Sequence, residues 1–104
     1  MSDYKITLGE NKATIEGGMR LKGPSSYDEP FNDIIDGVKG GDYCIDISDL
    51  EFLNSSGISK IARLVIMANI NKNTLTLVVG KHSWQEKICR SLKMINKDLI
   101  VVKR

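Results

Sequence analysis

The sequence predicts an α/β fold, in which a mixed β-sheet with an N-terminal antiparallel hairpin and a largely parallel remainder packs with three or more helices. The first observation is the alternation of apolar and polar residues over positions 4–15, which is typical of a half-buried hairpin. The second is a pair of mostly apolar runs, residues 43–47 and 75–79, which are typical of strands buried on both faces. The third is that helical patterns separate and follow these runs, which implies crossover connections.

The hairpin comes first along the chain, with a turn at residues 9–11. Its alternating apolar residues are Tyr4, Ile6, Leu8, Ala13 and Ile15. Gly17 and Gly18 are predicted to break the second strand, because glycine weakens a strand interior. Residues 19–22 then form either a short strand or an irregular crossing.

The first helix is predicted from one apolar stripe at positions i, i+3, i+4 and i+7, formed by Phe31, Ile34, Ile35 and Val38. Two glycines, at positions 40 and 41, end it. Its start falls between residues 26 and 29, where Ser26 and Glu29 form a capping box and Pro30 favours a nearby first turn.

The second helix is predicted over residues 58–70, between the two apolar runs. On a helical wheel one arc faces the sheet, and it carries Ile58, Ile61, Ala62, Leu64, Val65 and Ala68. The opposite arc carries Ser56, Ser59, Lys60, Arg63 and Met67, with Ile66 and Ile70 at its edge.

The third helix is predicted to begin at a capping box formed by Ser83 and Glu86. Its buried stripe consists of Trp84, Ile88, Leu92 and Ile95. A last strand at residues 98–102 completes the order ββ(β)αβαβαβ.

Length and composition indicate one folded domain over residues 1–104. A chain of 104 residues can bury one core but is too short for two, and its 41% hydrophobic and 27% charged residues are ordinary for a folded protein. No apolar run approaches the ~20 residues that span a bilayer, so no membrane insertion is expected. The N-terminus lacks the pattern of a signal peptide, which favours a cytoplasmic location.

Charge is distributed unevenly, with a net −6 in residues 1–52 and a net +8 in residues 53–104. The basic residues are spread over two predicted helices without aromatic interleaving, so we interpret them as solvated faces and expect no nucleic-acid binding. Cys44 and Cys89 lack the spacing of a zinc or redox motif, and both are expected to be reduced and buried.

Motifs for catalysis or cofactor binding are absent. The sequence has no GxxxxGK[ST], GxGxxG, HExxH or GxSxG motif. Its single histidine, His82, falls in a predicted turn and is expected to be exposed, whereas triads and multi-histidine metal sites need more histidine. Turn chemistry explains Asp49 after the strand that contains Asp46. We therefore expect a non-enzymatic protein without a cofactor or metal.

The segment Asn54-Ser55-Ser56-Gly57, at the predicted start of the second helix, has two interpretations. A serine at a helix start caps the first turn and contributes ~0.5 to 2 kcal/mol relative to alanine. Alternatively, a phosphate on Ser55 would lie at the positive end of the helix dipole without unfolding the domain.

Residues 44–58, CIDISDLEFLNSSGI, resemble the strand, loop and helix start of STAS domains of the anti-sigma factor antagonist type. In that family an apolar strand with an aspartate leads through a short loop into Asp-Ser-Ser-Gly, which opens a long helix. The predicted order of elements is similar to the STAS fold over essentially the whole chain. The form Leu-Asn-Ser-Ser-Gly-Ile-Ser further resembles a subgroup of stand-alone bacterial STAS-like proteins.

The resemblance implies a regulator that acts by partner switching, binding an anti-sigma factor or similar serine kinase that phosphorylates it. The family's phosphoacceptor serine falls on Ser55, and Asn54, Ser56 and Gly57 complete the switch loop. Asn54 replaces the family's aspartate, so it keeps the ability to bond to the backbone but brings no charge.

The outer arc of the second helix is the predicted partner-binding face, formed by Ser59, Lys60, Arg63 and Met67. Basic residues beside exposed apolar ones are typical of a docking surface. Two other functions stay open. One is a constitutive subunit of a larger assembly, such as a lipid-transport complex, and the other is an anion- or nucleotide-binding domain, because helix N-termini after parallel strands favour anions.

Overall fold

The computed structural model of the protein describes residues 4–20, 23 and 27–104. Over these ranges the chain forms β1 (Tyr4–Gly9), β2 (Lys12–Met19), α1 (Asp28–Gly40), β3 (Tyr43–Asp46), β4 (Leu50–Leu53), α2 (Ser55–Ile70), β5 (Leu75–Val79), α3 (Ser83–Ile95) and β6 (Ile100–Lys103). Positions 21 and 22 of the predicted crossing and Ser26 of the predicted capping box lie outside the described residues.

The strands form one mixed sheet in the order β1-β2-β3-β5-β6, with β4 also paired to β2. β1 and β2 are antiparallel, and the other pairs are parallel. The predicted α/β class, with an N-terminal hairpin and a largely parallel remainder, is therefore confirmed.

The prediction that Gly17 and Gly18 break the second strand is wrong. β2 continues to Met19, and its register shifts between Gly17 and Gly18, where Gly17 has a φ of 92°. The first part of β2 pairs with β3 and the last part with β4, a strand that the sequence pattern did not reveal. The glycines thus form a bulge that lets one strand serve two partners.

α2 contacts both α1 and α3, and the alternating burial along β2 and β5 indicates that this helix layer covers one face of the sheet. In β5 the residues facing this layer are buried, whereas Thr76 and Val78 are half-buried. The prediction of burial on both faces is therefore wrong for β5, and in β3 Cys44 is half-buried while Asp46 is buried. The core lies between one sheet face and the helices.

α1 begins within the predicted interval, with Tyr27 at its N-cap. Its stripe is confirmed, since Phe31, Ile34 and Val38 are buried. At its C-terminal end, the side-chain amide of Asn73 donates hydrogen bonds of 2.9 and 3.0 Å to the carbonyls of Val38 and Lys39.

α3 begins at Ser83 as predicted, but the capping box does not form, because His82 occupies the N-cap and makes no side-chain cap bond. Ile88 and Leu92 are buried as expected, whereas Ile95 is exposed. The predicted stripe missed Gln85, which is buried at the start of the helix.

Gln85 links three parts of the chain near the carboxyl ends of the strands. Its side-chain nitrogen donates to the carbonyl oxygens of Ile47 and Leu50, at 3.1 and 3.0 Å, and its side-chain oxygen accepts from the Gly80 N–H. The loop between β3 and β4 is therefore held to the loop before α3. β4 leads directly into α2, so this link also supports the position of the α2 start.

Within the described ranges, we find no helix with the length and apolar character needed to cross a membrane.

Candidate functional site

Asn54, and not a serine, caps α2. Its Oδ1 accepts a hydrogen bond from the Gly57 N–H at 3.0 Å, and its carbonyl accepts from the Ile58 N–H at 2.9 Å. Its own N–H donates to the Met19 carbonyl at 3.1 Å. The helix start is thus fixed to the end of β2, and Asn54 supplies the backbone bond expected of this position. The interpretation of a serine as the cap is wrong.

The two serines that follow have different surroundings. Ser55 is the first residue of α2, is exposed, and its hydroxyl has no partner among the described residues. Ser56 is half-buried, and its Oγ accepts a hydrogen bond of 3.0 Å from the Gly23 N–H. The Ser55 hydroxyl is therefore accessible to a modifying enzyme, whereas Ser56 holds Gly23 against α2.

Gly57 is required by close packing. A Cβ at this position would overlap Cδ1 of Leu53 and lie 3.3 Å from Cε of Met19. The first turn of α2 consequently packs directly on the ends of β2 and β4, which leaves little freedom for the helix start to shift.

The electrostatics of the α2 start suit a negative charge. The first turn contains no acidic residue, and the helix dipole places partial positive charge there. Backbone N–H groups at a helix start bind phosphate, and the Asn54 side chain accepts a hydrogen bond from that of Gly57. A phosphate on Ser55 would therefore be tolerated without loss of the fold.

The structure separates the four residues of the predicted partner-binding face. Ser59 and Arg63 are exposed, and the Ser59 hydroxyl donates to the Ser55 carbonyl at 3.0 Å. Lys60 is buried and forms an ion pair with Asp28 at the start of α1, and Met67 is half-buried against the core. The expected exposure of Lys60 and Met67 is wrong, because α1 packs against this side of α2.

The exposed side of α2 therefore lies closer to α3 than the predicted outer arc does. Ile58, which was assigned to the sheet-facing arc, is 38% exposed, and Ile66 and Ile70 are 41% and 70% exposed. The sheet-facing assignment holds for Ile61, Leu64, Val65 and Ala68, which are all buried.

An apolar groove of about 350 Å³ runs between α2 and α3. Its lining residues are Ile58, Ala62, Trp84, Lys87, Ile88, Ser91, Leu92 and Ile95. Sequence analysis missed this groove, because the helical wheels of two separate helices do not give their relative rotation. The exposed Ile58 and half-buried Trp84, both assigned to buried stripes, are the features that form it.

A second, polar depression of about 560 Å³ lies near the β2 bulge. Its lining residues are Tyr4, Lys5, Glu16, Gly17, Ser48, Asp49, Glu51 and His82. Three of these are carboxylates, which repel an anion, so the depression does not favour the nucleotide-binding alternative. In the described part of the chain no cluster of acidic, histidine or cysteine side chains is suited to hold a metal ion.

Asp46, beside this depression, is buried and held in its ionised form. Burial by itself raises the pKa of its carboxyl group, but hydrogen bonds from the Ser48 N–H and hydroxyl, at 2.9 and 2.6 Å, and the nearby Arg104 lower it. The net effect is a pKa below the usual value. The Arg104 guanidinium lies 3.4 Å from the Asp46 carboxylate. The group is thus a structural ion pair at the end of β3.

The single histidine and the two cysteines are further potentially reactive side chains. His82 is exposed, as predicted, and stacks on Trp84 with ring centroids 6.1 Å apart. Both cysteines are free; Cys89 is buried as expected, whereas Cys44 is only half-buried. Burial raises the pKa of each thiol, which disfavours the reactive thiolate at neutral pH.

No protein-family model matches this chain, and neither does any curated protein sequence. The resemblance to STAS domains consequently rests on the motif of residues 44–58 and on the order of elements.

Proposed function

We propose that this chain is a non-enzymatic, cytoplasmic regulatory module of STAS type, which binds a protein partner and is switched by phosphorylation of Ser55. The observation that carries the proposal is the Ser55 hydroxyl, which is exposed at the first position of α2 and has no hydrogen-bond partner among the described residues. The partner implied by the resemblance is an anti-sigma factor or a related serine kinase.

The proposed switch acts on the surface and not on the fold. A phosphate adds about −1.5 to −2 charges at neutral pH, beside exposed apolar residues of α2. If a partner covers this surface, that charge is expected to cost ~2 to 3 kcal/mol of binding free energy, which weakens binding roughly 30- to 150-fold. Folding is expected to be unaffected, since the helix dipole favours the added charge.

Asn54 is compatible with this role. It keeps the cap on the Gly57 N–H, and its neutral side chain does not repel a phosphate on the next residue. The family's aspartate would provide the cap and repel the phosphate. We therefore expect the phosphorylated form of this chain to keep the α2 start intact.

Mass spectrometry of the protein after incubation with ATP and the cognate serine kinase tests the phosphorylation site. We expect phosphate on Ser55 in the wild type and in Ser56→Ala, and none in Ser55→Ala. Ser56→Ala is the matched control, because it removes a hydroxyl one position away. Phosphate on Ser56, or none on the chain isolated from its host under any growth condition, contradicts the proposed site.

Partner binding distinguishes a switch from a constitutive subunit. Purification of tagged protein from the host is expected to recover a partner with the wild type and with Ser55→Ala, but not with Ser55→Asp. Equal recovery with all three indicates a constitutive subunit of a larger assembly. Calorimetric heat with nucleotides would instead favour the ligand-binding alternative.

A further inference from the structure

The groove between α2 and α3 is bordered by a continuous apolar ridge. Ile58, Ala62, Ile66 and Ile70 lie four residues apart along α2, which places them in one row on the helix surface. Three of them are exposed isoleucines. Across the groove, α3 presents the apolar surface of Trp84, Ile88 and Ile95. Such an extent of uncovered apolar surface is typical of an interaction site.

Two small side chains make the groove concave. Ala62 on α2 and Ser91 on α3 both line it, and neither fills the space between the helices. The buried residues Ile88 and Leu92 form part of its apolar lining. A helix packs 8–10 Å from its neighbours and inserts a row of side chains between theirs, so a groove of this shape accepts an amphipathic helix.

The one charged residue in the described lining of the groove is positive. α2 contains no acidic residue, and Lys87 is the charged residue of the groove lining. The acidic residue of α3, Glu86, is paired with Arg90 at 3.3 Å and does not line the groove. A partner with acidic residues beside its apolar stripe therefore complements this surface.

We propose that the groove binds an amphipathic helix of the protein partner, whose apolar stripe enters between α2 and α3 and whose flanking residues are acidic. This inference rests on the proposed interaction function and specifies the chemistry of the partner. The 13 residues of α3 extend about 20 Å, so a partner helix of three to four turns covers the groove.

The position of Ser55 links the groove to the switch. Ser55 precedes Ile58 by three residues and Ser59 by four, which places it on the same side of α2 at one end of the ridge. A phosphate there adds negative charge where the acidic flank of the partner would lie. Repulsion between like charges then weakens the complex.

Two designed peptides of about 16 residues test the groove, long enough for the three to four turns that it accommodates. Both carry the same leucine stripe at helical spacing, and one has glutamates and the other lysines on its flanks. Trp84 is the single tryptophan of the chain and lines the groove, so its fluorescence reports binding directly. We expect the acidic peptide to bind about tenfold or more tightly than the basic one at low salt, with the difference reduced at high salt.

Two charge reversals on α3 provide matched variants. Lys87→Glu is expected to weaken binding of the acidic peptide by about fivefold. Lys93→Glu makes the same change of net charge on an exposed residue roughly 120° around the helix, outside the groove lining, and is expected to change binding by less than about twofold. Equal effects of the two reversals, or equal affinity for the two peptides, would overturn the proposal.

Four further outcomes are decisive. A shift of Trp84 fluorescence with phosphatidylglycerol vesicles, but with neither peptide, identifies a membrane surface and overturns the proposal. Sedimentation that shows a dimer, dissociated by Ile66→Glu, assigns the groove to a second copy and also overturns it. If the acidic peptide binds equally to the wild type and to Ser55→Asp, the groove assignment stands and the switch fails. If neither peptide binds while Ser55→Asp loses the native partner, the switch stands and the groove assignment fails.

Discussion

Replacement of Gln85 by leucine tests the connection between the strand ends and the α2 start. Gln85 is fully buried, and its side chain satisfies the carbonyls of Ile47 and Leu50 and the N–H of Gly80. Leucine is similar in size but bonds to none of them. Gly80 cannot easily move toward another partner, because it lies against the Ser48 carbonyl, which a Cβ at this position would meet at 2.5 Å.

The expected loss is large compared with the stability of a domain of this size. A buried polar group without a partner costs about 1–3 kcal/mol, and Gln85→Leu leaves three such groups. Since carbonyls can recover part of the loss from entering water, we expect a total of about 3 kcal/mol. At 4–8 °C per kcal/mol for a small domain, the melting temperature falls by about 12 to 24 °C.

Urea denaturation followed by circular dichroism measures the loss. Glu86→Leu is the matched control, because it makes a similar change at the neighbouring, exposed position and is expected to change stability by less than about 0.5 kcal/mol. A free energy of unfolding for Gln85→Leu within about 0.5 kcal/mol of the wild type would refute the reasoning. In that case the three backbone groups do not depend on Gln85.

Two further predictions concern the buried charges. Asp28→Asn is expected to cost about 1–2 kcal/mol in the wild type, because it leaves the buried Lys60 without its partner while water reaches the half-exposed end of the pair. In a Lys60→Met background the same change should cost only the roughly 0.5 kcal/mol that the dipole of α1 contributes, and equal costs in both backgrounds would contradict the pairing. The folded-state pKa of Asp46 is lowered, so its contribution to stability is present above the unfolded pKa of about 3.9 and is lost as the pH falls through the folded value. Asp46→Asn should therefore be less stable at pH 7 but lose less stability on acidification, and an unchanged acid dependence in urea denaturation from pH 7 to 3 would exclude this role.

Patterns within single elements predicted much of the fold. The period-two alternation at Ile6, Ala13 and Ile15 predicted the hairpin, and the apolar run over Leu75–Val79 predicted β5 at its observed bounds. Each pattern arises because one side of an element must be buried. The apolar residues of that element alone are enough to identify that side. The same holds for the α1 stripe and for the start of α2 close to residue 55.

Pairing between distant segments limited the prediction of the sheet. β4 has only four residues, and it exists because the bulge at Gly17 and Gly18 gives β2 a second partner. No sequence pattern within residues 50–53 indicates that pairing. Likewise, the apolar runs over residues 43–47 and 75–79 do not reveal that the helix layer covers one face of the sheet.

The candidate site likewise has features that the sequence predicts and features that depend on the tertiary structure. The sequence by itself determined that a polar segment with two serines and a glycine opens α2, because capping and close packing of the first turn are local requirements. Only the tertiary structure decided that Asn54 is the cap, that Lys60 is buried, and that an apolar groove separates α2 from α3. It also decided that Ser56 is hydrogen-bonded whereas the Ser55 hydroxyl has no partner in the described ranges. The physical reason is that a helical wheel fixes the angles within one helix, whereas exposure depends on which neighbours pack against it.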